Sequence, residues 1–436
     1  MGRVRERMHL FIAKDGTKRY FFNTSWLLLE QIVRLLVGVL VGIYVARYLG
    51  PEKFGRFNYA IAYVALFAAV ARMGLDGVVI REFVREPNHR AEILATATAL
   101  KALGGLMAVA IVALSLIWTS VDDVSSLYVL IIAAGLVFSA SDVVDFYFQA
   151  TTQAKYSAIV KVIQLTVSSL VKVFLVYRHA DLIWLVLVTV LDQVTLALAY
   201  IVAAARRNII GEMFGFSLSR ARLLLKSSWP MMLSGVAIMF YMRIDQVMIK
   251  RFIGDAAVGQ YSAAVRISEI WYFVPTIICT SLFPAILSAR HRDRSLYLER
   301  LRHLYALMIL LGVTAGVLAA ICASWVISLL FGHSYAPAAP ILRLHIWAGI
   351  FVCIGVASEK WFIAEGKLLK YTRNVFFGAI LNVILNLWLI PAYGAIGAAR
   401  ATLVSQGVAA YLLLWFDRST RQSFFLVTRS LGSLRS

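Results

Sequence analysis

Ten basic side chains lie inside long apolar stretches of this sequence: Arg34, Arg72, Lys101, Lys161, Lys172, Arg243, Arg266, Arg343, Lys360 and Arg400. A charge at the centre of a bilayer costs about 2.5–3.5 kcal/mol on insertion scales, so such residues persist where they meet protein, water or a ligand. The chemistry they offer is anion binding. A guanidinium fork matches the oxygens of a phosphate, and a wet recess lined by one sign of charge concentrates the opposite sign. Arg34, Arg72, Lys172, Arg243, Arg266 and Lys360 are the candidate anion ligands, with Arg81 at the mouth. Each has an alternative. Glu30 and Arg34 are one helical turn apart and can pair, as can Arg266 and Glu269. Arg72, Lys101, Lys161 and Lys172 can extend to the interface. Arg81 fits ordinary placement in a basic loop, and Arg343 and Arg400 fit structural roles. Lys360 follows Glu359, and adjacent helical residues diverge by about 100°. Arg243 and Asp245 are two apart and point to different faces.

Carboxylates in the same stretches suit ion coupling. Asp142, Asp145 and Gln149 fall at i, i+3 and i+7 on one face, while Asp192 and Asp245 stand alone and Glu269 lies near Arg266. A carboxyl group in low dielectric holds its proton more tightly and can carry it; the alternative is a fixed partner for a buried cation. Asn382 and Asn386 share a face and are expected to bond between helices. The seven histidines have no metal-ligand spacing, and no Gly-rich phosphate loop is present, so no metal, cofactor or ATP hydrolysis is expected. No catalytic His/Asp cluster or large extramembrane loop argues for an enzyme. Cys279, Cys322 and Cys353 all fall in apolar stretches and read as buried thiols.

The elements that must position these residues are membrane helices. The chain is 61% hydrophobic and only 15% charged, against about 25% charged in soluble domains. Twelve apolar stretches are long enough to cross a bilayer core about 30 Å thick: 24–49, 55–75, 91–118, 127–150, 155–177, 181–205, 227–252, 259–289, 303–331, 340–364, 370–391 and 394–417. They lack the period-two alternation of a β-barrel. The net charge of +20 is unevenly placed. Basic residues crowd the N-terminus (Arg3 to Arg19), the loops at 81–90, 206–226, 290–302 and 367–373, and the tail after Arg418, and the opposite loops hold few. By the positive-inside rule both termini are cytoplasmic, and the charge is a topology signal rather than a nucleic-acid footprint. The basic start carries no cleavable signal peptide, so the first span serves as the insertion signal. Pro275, inside the eighth stretch, is a candidate kink.

The sequence also looks duplicated. ARYLGPEKFGRFNYA at 46–60 aligns without gaps with KRFIGDAAVGQYSAA at 250–264, matching Arg47, Gly50, Gly55 and Ala60 to Arg251, Gly254, Gly259 and Ala264. This predicts two six-helix halves of equal orientation: residues 1–205, a basic linker at 206–226, and 227–436.

GPEKFG at 50–55, GLDGVVIREF at 74–83, RIDQVMI at 243–249, SLFPAI at 281–286 and LNVILNLWLIPAYGAIGAARAT at 381–402 carry a family resemblance. Across nearly the whole chain the protein resembles the Wzx-type O-antigen and polysaccharide-repeat flippases of the multidrug/oligosaccharidyl-lipid/polysaccharide exporter superfamily. The resemblance implies an all-α polytopic fold of about 12 transmembrane helices, in two six-helix lobes around a central cavity. It implies transfer of an undecaprenyl-pyrophosphate-linked oligosaccharide across the inner membrane, with a polysaccharide polymerase and a chain-length regulator as partners alongside membrane lipid. A cation-coupled multidrug exporter of the same superfamily is the alternative, although the membrane basics count against it. A lipid II flippase is a second, although that group usually carries two further helices.

Overall fold

A computed structural model describes residues 2–119, 122–207, 209 and 215–433, with the side chains of 2–24, 27, 28, 291 and 431–433 excepted. The side chains of the basic N-terminus, linker residues 208 and 210–214, and Arg435 therefore lie outside the described residues. Among the described residues every regular element is helical. They are α1 Gly2–Arg72, α2 Asp76–Arg85, α3 Arg90–Ile117, α4 Asp123–Ala134, α5 Asp142–Ala150, α6 Ala154–Tyr177, α7 Leu182–Arg206, α8 Leu218–Phe252, α9 Asp255–Glu269, α10 Phe273–Arg292, α11 Arg294–Phe331, α12 Ala338–His345, α13 Ala348–Ala364, α14 Leu368–Tyr393, α15 Ala395–Gly407, α16 Leu413–Phe416 and α17 Arg421–Ser433.

Within the described residues, 11 helical stretches are long and apolar enough to cross a membrane. One of them, Leu29–Arg85, runs 57 residues. At 1.5 Å per residue that is about 85 Å, far more than one bilayer. It holds the first two expected spans, which part where Gly50 takes φ 67°, ψ 172° ahead of Pro51. Only glycine adopts that backbone cheaply, and proline can open the next helix because its missing N–H is not needed there. The twelve expected stretches are thus accounted for. Large apolar side chains stay exposed along them, among them Trp388 at 78% and Ile117 at 76%, as lipid-facing surfaces require.

Four of the expected spans are interrupted. The fourth passes from α4 through a 3-10 segment, Gly135–Ser141, into α5. The eighth breaks between Glu269 and Phe273, across Trp271, whose carbonyl Pro275 has no N–H to bond, so the expected kink is a full break one turn before the proline, which sits in the first turn of α10. The tenth turns between His345 and Ala348. The twelfth contains a π-helical segment, Val408–Leu412, a geometry found mostly as local insertions at working sites.

The chain divides into two compact units, Met1–Val45 with Phe67–Val236, and Ala46–Leu66 with Ala237–Ser436. The core of the first gathers Phe83, Phe148, Val143 and Tyr200. The core of the second gathers Tyr305, Met308, Trp361 and Phe362. Here the Tyr305 hydroxyl bonds Ser358 at 3.1 Å and Ser423 at 2.8 Å, tying α17 to α11 and α13.

Both copies of the repeated hairpin lie in the second unit, and they pack on each other reciprocally. A methyl at Gly55 would fall on the Asp255 carbonyl, and a methyl at Gly259 would fall on the Pro51 carbonyl. Gly55 aligns with Gly259, and Pro51 with Asp255, so one contact is the image of the other. A two-fold contact is recognised by this reciprocity. Asp255 fastens it, accepting from Lys250 at 2.6 Å and Arg56 at 3.3 Å. The Tyr335 hydroxyl donates to the Ala46 carbonyl at 2.8 Å.

Candidate functional site

In the first unit, membrane cations meet carboxylates. Lys101 on α3 is fully buried, 3.0 Å from Asp142 and 3.5 Å from Asp76, with the Phe146 ring 4.7 Å away. Lys161 on α6 reaches Asp145 at 2.6 Å, and Ser157 donates to the same carboxylate. Lys172 reaches Asp192 on α7 at 2.7 Å and Ser168 at 2.8 Å. Arg34 pairs with Glu30 one turn back, its Nε at 2.6 Å. Arg72 is exposed, and its guanidinium makes no hydrogen bond or ion pair with another described residue. Arg81, also exposed, lies 3.1 Å from buried Glu82. Pairing of this kind is what burial demands, because an unpaired ion loses its hydration without recompense. It also removes most of the net positive charge that the sequence places among the first unit's helices.

The second unit is different. Asp245, on α8, is buried to 3% exposure and meets only neutral donors. The Tyr261 hydroxyl donates at 2.5 Å, Thr402 at 2.6 Å and the Asn386 amide at 2.6 Å. These come from α9, α15 and α14, so four helices converge on one carboxylate. Asn382 donates to Ser405 at 3.4 Å and accepts from Asn386 at 3.1 Å. The expected Asn382/Asn386 face is therefore bonded between helices. The carbonyl oxygen of Asn386 is buried and has no hydrogen-bond partner among the described residues. Of the five candidate coupling carboxylates, Asp142, Asp145, Asp192 and Glu269 have a Lys or Arg partner, and Asp245 has none among the described residues.

Arg243 points away from Asp245, as their spacing requires, and donates to Glu269 on α9 at 3.3 Å. That contact replaces the alternative Arg266–Glu269 pair. Arg266 is left partly buried, its guanidinium without a hydrogen bond or ion pair to another described residue. Lys360 stands 3.9 Å from Glu359, at the limit of an ion pair. Arg343 donates to Ser324 at 2.8 Å, and Arg400 stacks on Tyr393 at 4.2 Å.

Beside Asp245 opens a cavity of about 200 Å³, half enclosed and mostly apolar. Tyr241, Tyr272, Phe351 and Tyr371 line it, with Asp245, Glu269 and His345 as its ionisable groups. Three of the interrupted spans reach it, through Tyr272 at the α9–α10 break, His345 at the α12–α13 turn, and Ala409 and Ala410 in the π-helical segment. His345 is fixed by Ser268 at 2.8 Å. Sequence reasoning missed Tyr261, Thr402, His345 and the tyrosine lining. Thr402 sits in the quoted 381–402 segment as a polar residue among apolar ones, the signal that singled out the asparagines. The tyrosines carry no such signal in a chain with 19 of them.

Comparison with known proteins agrees with this architecture. A family model described as "Polysaccharide biosynthesis protein" matches residues 21–290, and one described as MatE matches residues 230–388. A "probable flippase AglR" of Haloferax volcanii is 25% identical over 88% of this chain and 80% of its own. The "capsular polysaccharide biosynthesis protein CapF" of Staphylococcus aureus is 21% identical over 90% of this chain and 98% of its own. Among solved structures, an inward-facing multidrug-resistance MATE transporter superposes with TM-score 0.69 at 14% identity, covering 92% of this chain and 95% of the other. The lipid II flippase MurJ superposes with TM-score 0.69 at 15% identity, covering 94% and 91%. With more than half its length matched, and a membrane-helix fold shared with these solved proteins, the chain belongs to the polysaccharide biosynthesis protein family.

Proposed function

We propose that this membrane transporter is a flippase that moves a polyprenyl-pyrophosphate-linked oligosaccharide from the cytoplasmic to the periplasmic leaflet of the inner membrane. The family match carries the reading. Relatives named for flipping and for capsular polysaccharide, similar along most of the chain, support it. The basic loops orient both termini to the cytoplasm. A polymerase and a chain-length regulator acting on the product are the expected partners.

In this reading the pyrophosphate meets guanidinium groups whose donors are not consumed by carboxylates. In the second unit Arg266 meets that condition and Arg243 meets it in part; in the first unit, taken by itself, Arg72 meets it. Arg34, Lys172 and Lys360, each beside an acid, tune the local field rather than grip the headgroup, and Arg81 meets the phosphate at the entrance. Asp245 is the coupling group. Held by neutral donors, it can take up a proton or a monovalent cation without first surrendering a Lys or Arg, whereas Asp142, Asp145, Asp192 and Glu269 would have to break an ion pair.

The test is complementation of a strain lacking its own repeat-unit flippase. Wild type restores surface polysaccharide. Arg266→Gln and Arg72→Gln together, at unchanged membrane abundance, reduce it by about tenfold or more, the worth of about 1.4 kcal/mol in binding. Undiminished polysaccharide in the double variant shows that neither residue meets the headgroup, and failure of wild type in several such strains removes the substrate.

The runner-up is a cation-coupled drug exporter. The aromatic cavity beside Asp245 favours it, because a lipophilic cation binds ring faces and a lone carboxylate.

A further inference from the structure

A second recess lies in the first unit, away from every residue assigned above. It is an open groove of about 500 Å³ between α6 and α7. Tyr156, Ile159, Val160 and Ile163 form its wall on α6, at i, i+3, i+4 and i+7. Ala199, Val202, Ala203 and Arg206 form the facing wall at the same spacing on α7. The two alanines make the recess, since nothing on α7 fills the space opposite the isoleucines. Seven residues of helix give it a length of about 10 Å, about two thirds of the ~15 Å hydrocarbon depth of one leaflet. Its floor is lipid-facing: Ile163 is 57% exposed and Val202 is 51% exposed.

The groove is polar at one end only. Arg206 closes the last turn of α7, and Arg207 follows it, both exposed. Neither guanidinium forms a hydrogen bond or ion pair with another described residue. Arg207 stacks on the Tyr156 ring, its guanidinium carbon 3.9 Å from the centroid. Stacking uses the face of the guanidinium and leaves the N–H donors at its edge free, so the group is pre-oriented for a phosphate. Tyr156 is held from another side by Phe148 at 5.8 Å. Cationic mouth, apolar depth and membrane-surface position match one molecule end to end.

We propose that this groove is a binding site for an anionic glycerophospholipid of the surrounding leaflet, with the phosphate on Arg206 and Arg207 and an acyl chain between α6 and α7. The transported lipid carrier also has a phosphate and a long tail. Apart from the two arginines and the Tyr156 hydroxyl, however, no polar side chain among the described residues lines the groove, so a sugar head would find little there to bind.

The test uses the purified full-length protein in detergent, with retained lipid measured by native mass spectrometry. Phosphatidylglycerol and phosphatidylcholine of identical chains are offered together. Wild type retains the anionic lipid preferentially. With each basic group near a phosphate surface contributing about 1 kcal/mol, Arg206→Gln with Arg207→Gln lowers its retention by about tenfold or more. Ala203→Phe, which fills the recess and leaves both charges, lowers retention of either lipid. Equal retention of the two lipids by wild type overturns the proposal without reference to any variant. Undiminished phosphatidylglycerol in the double arginine variant overturns it too. Displacement of phosphatidylglycerol by one equivalent of undecaprenyl phosphate would assign the groove to the transported lipid instead.

Discussion

Removing one partner of an ion pair costs most when the partner left behind is buried. Lys101 is completely buried, while its partners Asp142 and Asp76 keep 34% and 45% of their side chains exposed. Asp142→Ala would strand the ammonium with only the more distant Asp76, and a destabilisation of about 3 kcal/mol is expected. Lys101→Met leaves two carboxylates that water can reach, and costs less. The double variant should recover most of the loss. Thermal unfolding of the four proteins in one detergent measures the cycle; equal losses in the two single variants would show that the pair is not organised around the buried lysine. At Asp245 the substitution to Asn keeps volume and hydrogen bonding and removes the ability to carry charge. Asp245→Asn should therefore remain folded and yet lose the response of transport to an imposed proton or sodium gradient. A variant whose transport still follows the gradient would place coupling elsewhere.

Helices are joined here by contacts that tolerate little change. Gly55 and Gly259 allow the two repeated hairpins to meet backbone to backbone. Gly55→Val or Gly259→Val would force the Asp255 or Pro51 carbonyl away, and overpacking of this kind costs about 1–3 kcal/mol. Because the contact is reciprocal, the two variants should lower the unfolding temperature by similar amounts, and strongly unequal shifts would argue against the symmetry. At the end of the twelfth span, Asp417 gathers Lys370 at 3.0 Å, Arg373 at 3.1 Å and the Ser419 amide at 2.9 Å. The Lys370 ammonium above all, with Ser419 and Arg373, holds its carboxyl well below the usual carboxylate range. The folded pKa is depressed, so the contribution to stability is present above the unfolded value of about 3.9 and fades as pH falls through the folded value. The difference in unfolding temperature between wild type and Asp417→Asn should be constant from neutral to mildly acidic pH and shrink below about pH 4. A difference that grows with acidity would reverse the assignment.

How much of this was readable beforehand differs between helices and sites. Hydropathy located every span, because the bilayer imposes length and composition on each one separately. The interruptions in the fourth, tenth and twelfth spans were not readable. The Glu269–Phe273 break had the one local signal, Pro275, which cannot bond the Trp271 carbonyl one turn back. Charge pairing was legible only when local. Glu30–Arg34 shows at i, i+4, while Lys101–Asp142, Lys172–Asp192 and Arg243–Glu269 join residues on different helices. Asp245 stood out as a lone acid, but its neutral cage of Tyr261, Asn386 and Thr402 is assembled from three distant segments.

At the scale of the whole molecule the claim is that a family of membrane transporters is represented here by a flippase for a lipid-linked oligosaccharide. The direct measurement is reconstitution of the full-length protein into sealed vesicles carrying a polyprenyl-pyrophosphate-linked oligosaccharide labelled in its sugar. The label exposed to an added hydrolase is then followed in time, with a lipophilic cation and lipid II offered to parallel vesicles. Protein-dependent transfer of the oligosaccharide lipid is expected, with neither competitor matching it. Transfer of the cation or of lipid II, with the oligosaccharide lipid left in its original leaflet, would contradict it.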